Sequence, residues 1–166
     1  MRQNHRMGEL TARVIDGINN SKESKNFANW IWMAGDLIRK ASSPGFHSGF
    51  EEIDREEVSD EERQKMREAV LKALPRNDDP LYIGSLLQVL RQTYEKDLIP
   101  LWIEYLTKYL NLLNASNGVV WTILLALKEI GEPVFQDVGS LCSIDVERNV
   151  EEAHKYLRQR GINLPR

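Results

Sequence analysis

Cysteine is nearly absent from this sequence: the 166 residues hold a single one, Cys142. A lone thiol excludes an intramolecular disulfide and any multi-cysteine zinc site. Its expected state is a small buried hydrophobe. Histidine is scarce too, with His5, His47 and His154 as the three copies. None has a His or Cys partner at ligand spacing, so no metal site is expected. No apolar run approaches the roughly 20 residues that a membrane helix requires. The opening MRQNHRMGEL lacks the apolar core of a signal peptide, and a cytoplasmic protein is expected. An excess of positive charge is also missing. Lys and Arg number 22 against 25 Asp and Glu, a formal net charge of -3. That balance argues against nucleic acid as the main partner, because phosphate binding calls for clustered Lys and Arg. Nucleophile elbow, phosphate-binding glycine loop and dinucleotide fingerprint are all absent. Glu151 and His154 have the Glu-x-x-His spacing of a di-iron bundle, but once only, where such a site needs two copies. His47 and Glu51 share a loop, yet Glu is abundant there and the pairing carries no weight. The expectation is therefore a protein that is not an enzyme and carries no cofactor.

What is present is helical patterning. Hydrophobic residues make up 42% and charged residues 28% of the chain, the balance of a globular protein with a core of its own. The strongest stretch is Asp97 to Gly131, DLIPLWIEYLTKYLNLLNASNGVVWTILLALKEIG. Leu98, Leu101, Trp102, Tyr105, Leu106, Tyr109, Leu110 and Leu113 recur at steps of three and four. After an Asn/Ser/Gly turn, Val120, Ile123, Leu124, Leu127 and Ile130 hold one face of a second helix, which Trp121 and Leu125 widen. Apolar arcs so broad require cover on more than one side, so this pair is read as the centre of the fold.

Other helices follow from their caps and stripes. Glu9–Asn19 aligns Leu10, Val14 and Ile18. A helix from Ser24 to Ala41 turns Phe27, Trp30, Ile31, Ala34, Leu37 and Ile38 inward. Ser59-Asp-Glu-Glu62 is a capping box that starts a third helix, with Met66, Ala69, Val70, Ala73 and Leu74 buried. Asp79-Pro80 starts a fourth, with Leu81, Gly84, Leu87, Val89, Leu90 and Tyr94 apolar. Gly131 is an expected C-terminal cap. A short helix is read at 134–141. Asp145 caps a last helix with Val146, Val150, Ala153 and Leu157 inward and Gly161 at its end. No segment alternates long enough for a strand. The chain is expected to be all-α, one domain over 1–166 with about seven helices and a loose tail at 1–7.

Residues 42–58, SSPGFHSGFEEIDREEV, form the least regular part. A connection of this length inside a domain is usually functional or disordered. Phe46 and Phe50 lie in it, followed by Glu51, Glu52, Asp54, Glu56 and Glu57 with only Arg55 between them. The plain account is a solvated loop leading to a charged helix start, since Asp60, Glu61 and Glu62 suit the positive end of a helix dipole. The functional account is an acidic, aromatic-tipped lip that meets a basic protein. Trp32 joins it as a candidate anchor. Trp32 points about 150° away from its helix's inward stripe, so either the first helix covers it or it stands exposed as a binding residue.

A faint repeat runs through the second half. LLQVLRQTY at 86–94, ILLALKEIG at 123–131 and AHKYLRQRG at 153–161 superpose so that Leu90, Leu127 and Leu157 coincide. Arg91, Lys128 and Arg158 follow, and Gly131 matches Gly161. At LLALKEIGEPVF, 124–135, the chain resembles the second helix of a HEAT-like repeat, through Leu127, Ile130, Gly131 and Pro133. The resemblance covers 59–161 and implies a short stack of antiparallel helical hairpins, with a closed helical bundle as the alternative. The Asp and Arg ladder of typical HEAT repeats is not evident. HEAT-like folds are mostly binding scaffolds. In size, class and charge the chain also looks like the helical immunity proteins of bacterial polymorphic toxin systems. That resemblance implies an inhibitor that occludes a toxin domain, with Trp32, Phe46, Phe50, Glu51, Glu52, Asp54, Glu56 and Glu57 as partner-binding residues. The alternative from another class is a small-molecule or peptide-binding regulatory module, with Tyr82, Trp102, Tyr105 or Trp121 lining an aromatic pocket between helices.

Overall fold

The computed structural model describes residues 8–21, 25–43, 45–112, 117–137 and 145–165. The expected tail 1–7, Leu113, residues 138–141 and Cys142 lie outside the described residues. All regular structure among the described residues is helical, as expected of an all-α chain. The helices are α1 (Glu9–Asn20), α2 (Lys25–Ser42), α3 (Glu51–Arg55), α4 (Asp60–Ala73), α5 (Pro80–Arg91), α6 (Ile99–Leu110), α7 (Asn117–Glu129) and α8 (Val146–Gln159). Short 3-10 turns at Leu74–Arg76 and Lys96–Leu98 extend α4 and lead into α6. The α3 helix is a correction to the sequence reading, because it forms inside the stretch expected to be a loop.

Contacts divide the chain into two compact units, the first ending at Thr93 and the second beginning at Tyr94. In the first unit α2 is the hub, packed against α1, α3, α4 and α5. Its inward side chains Phe27, Ile31, Ala34, Leu37 and Ile38 are almost fully buried. The α1 helix supplies Leu10, Val14 and Ile18 and comes close at Gly17. A Cβ there would stand 2.5 Å from the Trp30 ring, so glycine is what lets α1 lie on the indole. The expected buried face of α4 is observed in full. In α5 the stripe is Ile83, Leu86, Leu87, Val89 and Leu90. Leu81, expected inside, is 79% exposed, and Tyr94 falls beyond the helix end.

The helix ends account for much of the polar sequence. The Ser59 hydroxyl accepts from the Glu62 N–H (3.2 Å), and Glu62 accepts in return from the Ser59 N–H (2.8 Å). The other oxygen of Glu62 accepts from the Gly8 N–H (2.8 Å), so one nearly buried carboxylate serves two helix starts. Arg76 closes the far end of α1, donating to the carbonyls of Asn19 (2.8 Å) and Ile18 (3.2 Å). Both ends of α1 thus have side-chain partners for backbone groups the helix cannot satisfy itself.

The second unit packs α6 on α7 and α8 on both. Trp102, Tyr105, Leu106 and Tyr109 of α6 are buried, and α7 buries Val119, Val120, Thr122, Ile123, Leu124, Ala126 and Leu127. The pair read as the centre is therefore the core of this unit. The stripe of α8 is rotated from the expected one: Asn149, Ala153, Tyr156 and Leu157 are buried, while Val146 is 48% exposed.

The expected short helix is not formed over residues 134–137, which are bends and turns. Gly131 (φ +90°) reverses the chain, and Phe135 follows in the left-handed region (φ +52°), where a helix cannot propagate. The sharp turn is held from three sides. The Phe135 N–H donates to Glu152 (2.6 Å), Lys128 donates to the Phe135 carbonyl (3.3 Å), and the Phe135 ring is buried. Tyr94, Gly131 and Gly161 have positive φ: 53°, 90° and 78°. At the two glycines the next N–H reaches back to the carbonyl of Leu127 (3.0 Å) or Leu157 (2.9 Å), a Schellman close.

Candidate functional site

The most distinctive surface of the first unit is built where residues 46–55 lie across the outer side of α2. At about 100° per residue, Asp36 and Arg39 fall within about 40° of Trp32 around the helix, so all three share that side. Trp32 and Arg39 meet the crossing segment. The Trp32 and Phe50 rings stand edge to face, 4.8 Å between centroids and 81° between planes. The Arg39 guanidinium lies over Phe46, 4.6 Å from the ring centre. Lys40, one residue on, donates to the carbonyl of Ile53 (2.9 Å) and to that of Asp54, placing a cation at the end of α3 where the helix dipole favours it. Ile53 is 1% exposed and anchors α3 to the unit.

Within this arrangement the predicted residues divide. Trp32 and Phe50 are 46% and 53% exposed, large apolar surfaces left in water although they touch one another. The cover expected from α1 falls on Trp30 instead. Phe46 is half-buried beneath Arg39. Glu51, Glu52 and Glu57 are exposed, with Glu51 paired to Arg55 one turn along. Such a solvent-exposed pair contributes about 0–1 kcal/mol.

Asp54 and Glu56 turn inward to the chain itself. Asp54 accepts from the Ser48 N–H (2.7 Å) and the Ser48 hydroxyl (2.9 Å). The Ser48 N–H is the largest influence holding its carboxyl below the usual range; burial opposes it, and the charge of His47 adds to it. Glu56 accepts from the N–H and the hydroxyl of Thr11, both at 3.0 Å, pinning the start of α1. The sequence supports their acidity but not their employment, because both bonds reach across turns that the sequence does not specify.

Asp36 is the residue that sequence reasoning missed. It stands one helical turn from Trp32, half-buried, and burial lifts its carboxyl above the ordinary aspartate range; Arg39 opposes this and the charge of Asp54 reinforces it. The i, i+4 spacing from Trp32 was the available signal.

In the second unit, Tyr156 donates to Glu132 (2.7 Å), and Arg160 pairs with the same carboxylate. Burial, then the bond to Glu132, push the Tyr156 hydroxyl well up. Trp102, Tyr105 and Tyr109 are buried in the core of that unit, and Tyr82 of the first unit packs against Phe27 at 5.3 Å. An open depression of about 410 Å³ lies along α8, lined by Arg148, Glu151, Glu152, Lys155 and Arg158. Its lining is charged, unlike the aromatic pocket of the alternative reading. Among the described residues no group of His, Cys, Asp and Glu is arranged to hold a metal, and no helix is long and apolar enough to cross a membrane. Comparison with protein families, with curated proteins and with solved structures yields no match.

Proposed function

We propose that this chain is a non-enzymatic protein-binding protein that docks a basic partner through Trp32, Phe50 and the acidic border of Glu51, Glu52 and Glu57. The observation that carries the reading is the exposed aromatic pair. Two large rings that could have packed inward are held at the surface by a segment anchored on both sides, at Ile53 and under Arg39. Aromatic residues so placed supply contact area at little further entropic cost, since their rotamers are already restricted. Acidic neighbours speed encounter with a positive surface and disfavour acidic partners. Phe46, Asp54 and Glu56 serve this face by holding it rather than by contact.

In its finer form the reading is an immunity-type inhibitor that covers the active site of a toxin domain. The small all-α chain and its acidic border support that form. The test is affinity capture from the source cell, with the products of neighbouring genes co-expressed, run in parallel with a Trp32→Ala/Phe50→Ala chain. A single stoichiometric protein that the double variant no longer retains, and that is toxic when expressed alone, is the expected result. Equal retention of that protein by the double variant would place the docking face elsewhere. Loss of capture without toxicity of the partner would remove the inhibitor and keep the binding protein.

A further inference from the structure

We propose that the corner between the Trp32 and Phe50 rings receives a cationic side chain of the partner, arginine in the first instance. This rests on the protein-binding reading and names the group recognised. An edge-to-face pair at 81° and 4.8 Å makes two walls of a cage, each ring being about half exposed. The open face of an aromatic ring is its negative pole and attracts a cation.

Carboxylates neighbour the two rings along the chain. Asp36 is one turn from Trp32 on the same side of α2, and Glu51 and Glu52 directly follow Phe50. The cations carried by the second half of α2 and by α3 are already engaged: Arg39 over Phe46, Lys40 on the carbonyls of Ile53 and Asp54, and Arg55 with Glu51. The corner is therefore aromatic with acidic neighbours, and the cations named here are directed at other groups, Arg39 lying over Phe46 rather than over Trp32 or Phe50.

Chemistry then selects the occupant. An aliphatic side chain would cover the rings but would further desolvate Asp36, which Arg39 only partly offsets. A cation adds to that offset and stacks on a ring at once. Guanidinium suits the task better than ammonium, being planar and weakly hydrated, with a fork of donors for a carboxylate. The chain makes the same contact internally where Arg39 covers Phe46 at 4.6 Å.

The experiment titrates the full chain, 15N-labelled, with Nα-acetyl-arginine amide and with its neutral isostere Nα-acetyl-citrulline amide. The Trp32 indole resonance is assigned from the Trp32→Phe variant. The expected result is saturable shifts at the Trp32 indole and the Phe50 amide for the arginine probe in the millimolar range, with the citrulline probe at least fivefold weaker. Asp36→Asn/Glu52→Gln should weaken the arginine probe by a similar factor while leaving the fold intact by circular dichroism. Trp32→Leu, which keeps apolar bulk, should abolish saturation. Equal affinity for the two probes, or no saturable shift with either, would overturn the corner as a cation site. That failure is distinct from failure of the docking face. If the arginine probe is silent but Trp32→Ala/Phe50→Ala still releases the partner, only the cation is wrong. If the variant retains the partner, the face itself is wrong.

Discussion

The segment from Phe46 to Arg55 in the first unit, a loop ending in the short α3, and the turn from Gly131 to Asp137 in the second are both fastened to a helix. Each has a buried apolar residue, Ile53 or Phe135. Each has a lysine from a neighbouring helix on its carbonyls, Lys40 or Lys128, and a carboxylate accepting from its backbone N–H, Asp54 or Glu152. They differ in where the aromatic rings go. In the second unit Phe135 packs 6.0 Å from Trp121 and leaves almost no surface in water. In the first, the buried apolar anchor is Ile53, and Trp32 and Phe50 remain outside. The same means of holding a loop yields a piece of core in one place and a displayed surface in the other. What decides is whether the anchor and the aromatic are the same residue.

Substitutions can break that contrast, beginning with the largest effect. Phe135→Ala removes anchor and aromatic together, and its expected cost is about 3–5 kcal/mol of stability, read by chemical denaturation. A loss under about 1 kcal/mol would mean the turn is not held by the ring. Ile53→Ala should cost about 2–4 kcal/mol as a buried aliphatic truncation, and should also release Trp32 from Phe50, seen as a change in the Trp32 indole resonance. If that resonance stays put, the segment is held by its hydrogen bonds instead.

Asp54→Asn should loosen the turn at Ser48 with a smaller effect on global stability. The native Asp54 carboxyl lies below its ordinary value, so its contribution is present above the usual aspartate pKa and is lost as pH falls through the lower folded value. The Ser48 amide shift should follow that titration in the native chain and lose it in the variant. A native Ser48 amide indifferent to acid would contradict the bond. Trp32→Ala should change stability least, within about 0.5 kcal/mol, as expected at an exposed position. Its effect on partner binding should be far larger, about 2 kcal/mol or more if the residue is a docking anchor. The reverse order, a large loss of stability with binding unchanged, would make Trp32 a core residue and erase the difference between the two segments.

The legibility of the chain follows the range of the forces involved. The caps at Ser59, Asp79 and Asp145 were readable because a cap bonds within three residues of itself, and all three bonds are present. The inward faces of α2 and α4 were readable from helical spacing. The stripe of α8 was misjudged because Asn149 and Tyr156 count as polar in a pattern, yet both are fully buried. The expected helix at 134–141 failed over 134–137 because Val134, Phe135 and Val138 carry helical spacing, while the reversal at Gly131 and Pro133 sends the chain into a turn. At the candidate site the aromatic and acidic residues were visible as types. Their division into displayed residues, Trp32, Phe50, Glu51, Glu52 and Glu57, and holding residues, Phe46, Asp54 and Glu56, was not, and Asp36 went unnoticed.

By itself the sequence determined that this protein is all-α, where most helices begin and end, and which faces are apolar. Those properties depend on neighbours within a turn or two, through hydrogen-bond periodicity and capping. Only the tertiary structure decided that α2 is the hub of one unit and the α6–α7 pair the core of another, that Gly17 admits Trp30 while Trp32 is left outside, and that Glu56 reaches back 45 residues to Thr11. Contacts between distant residues depend on which faces win the competition for burial, and a local pattern does not rank those faces.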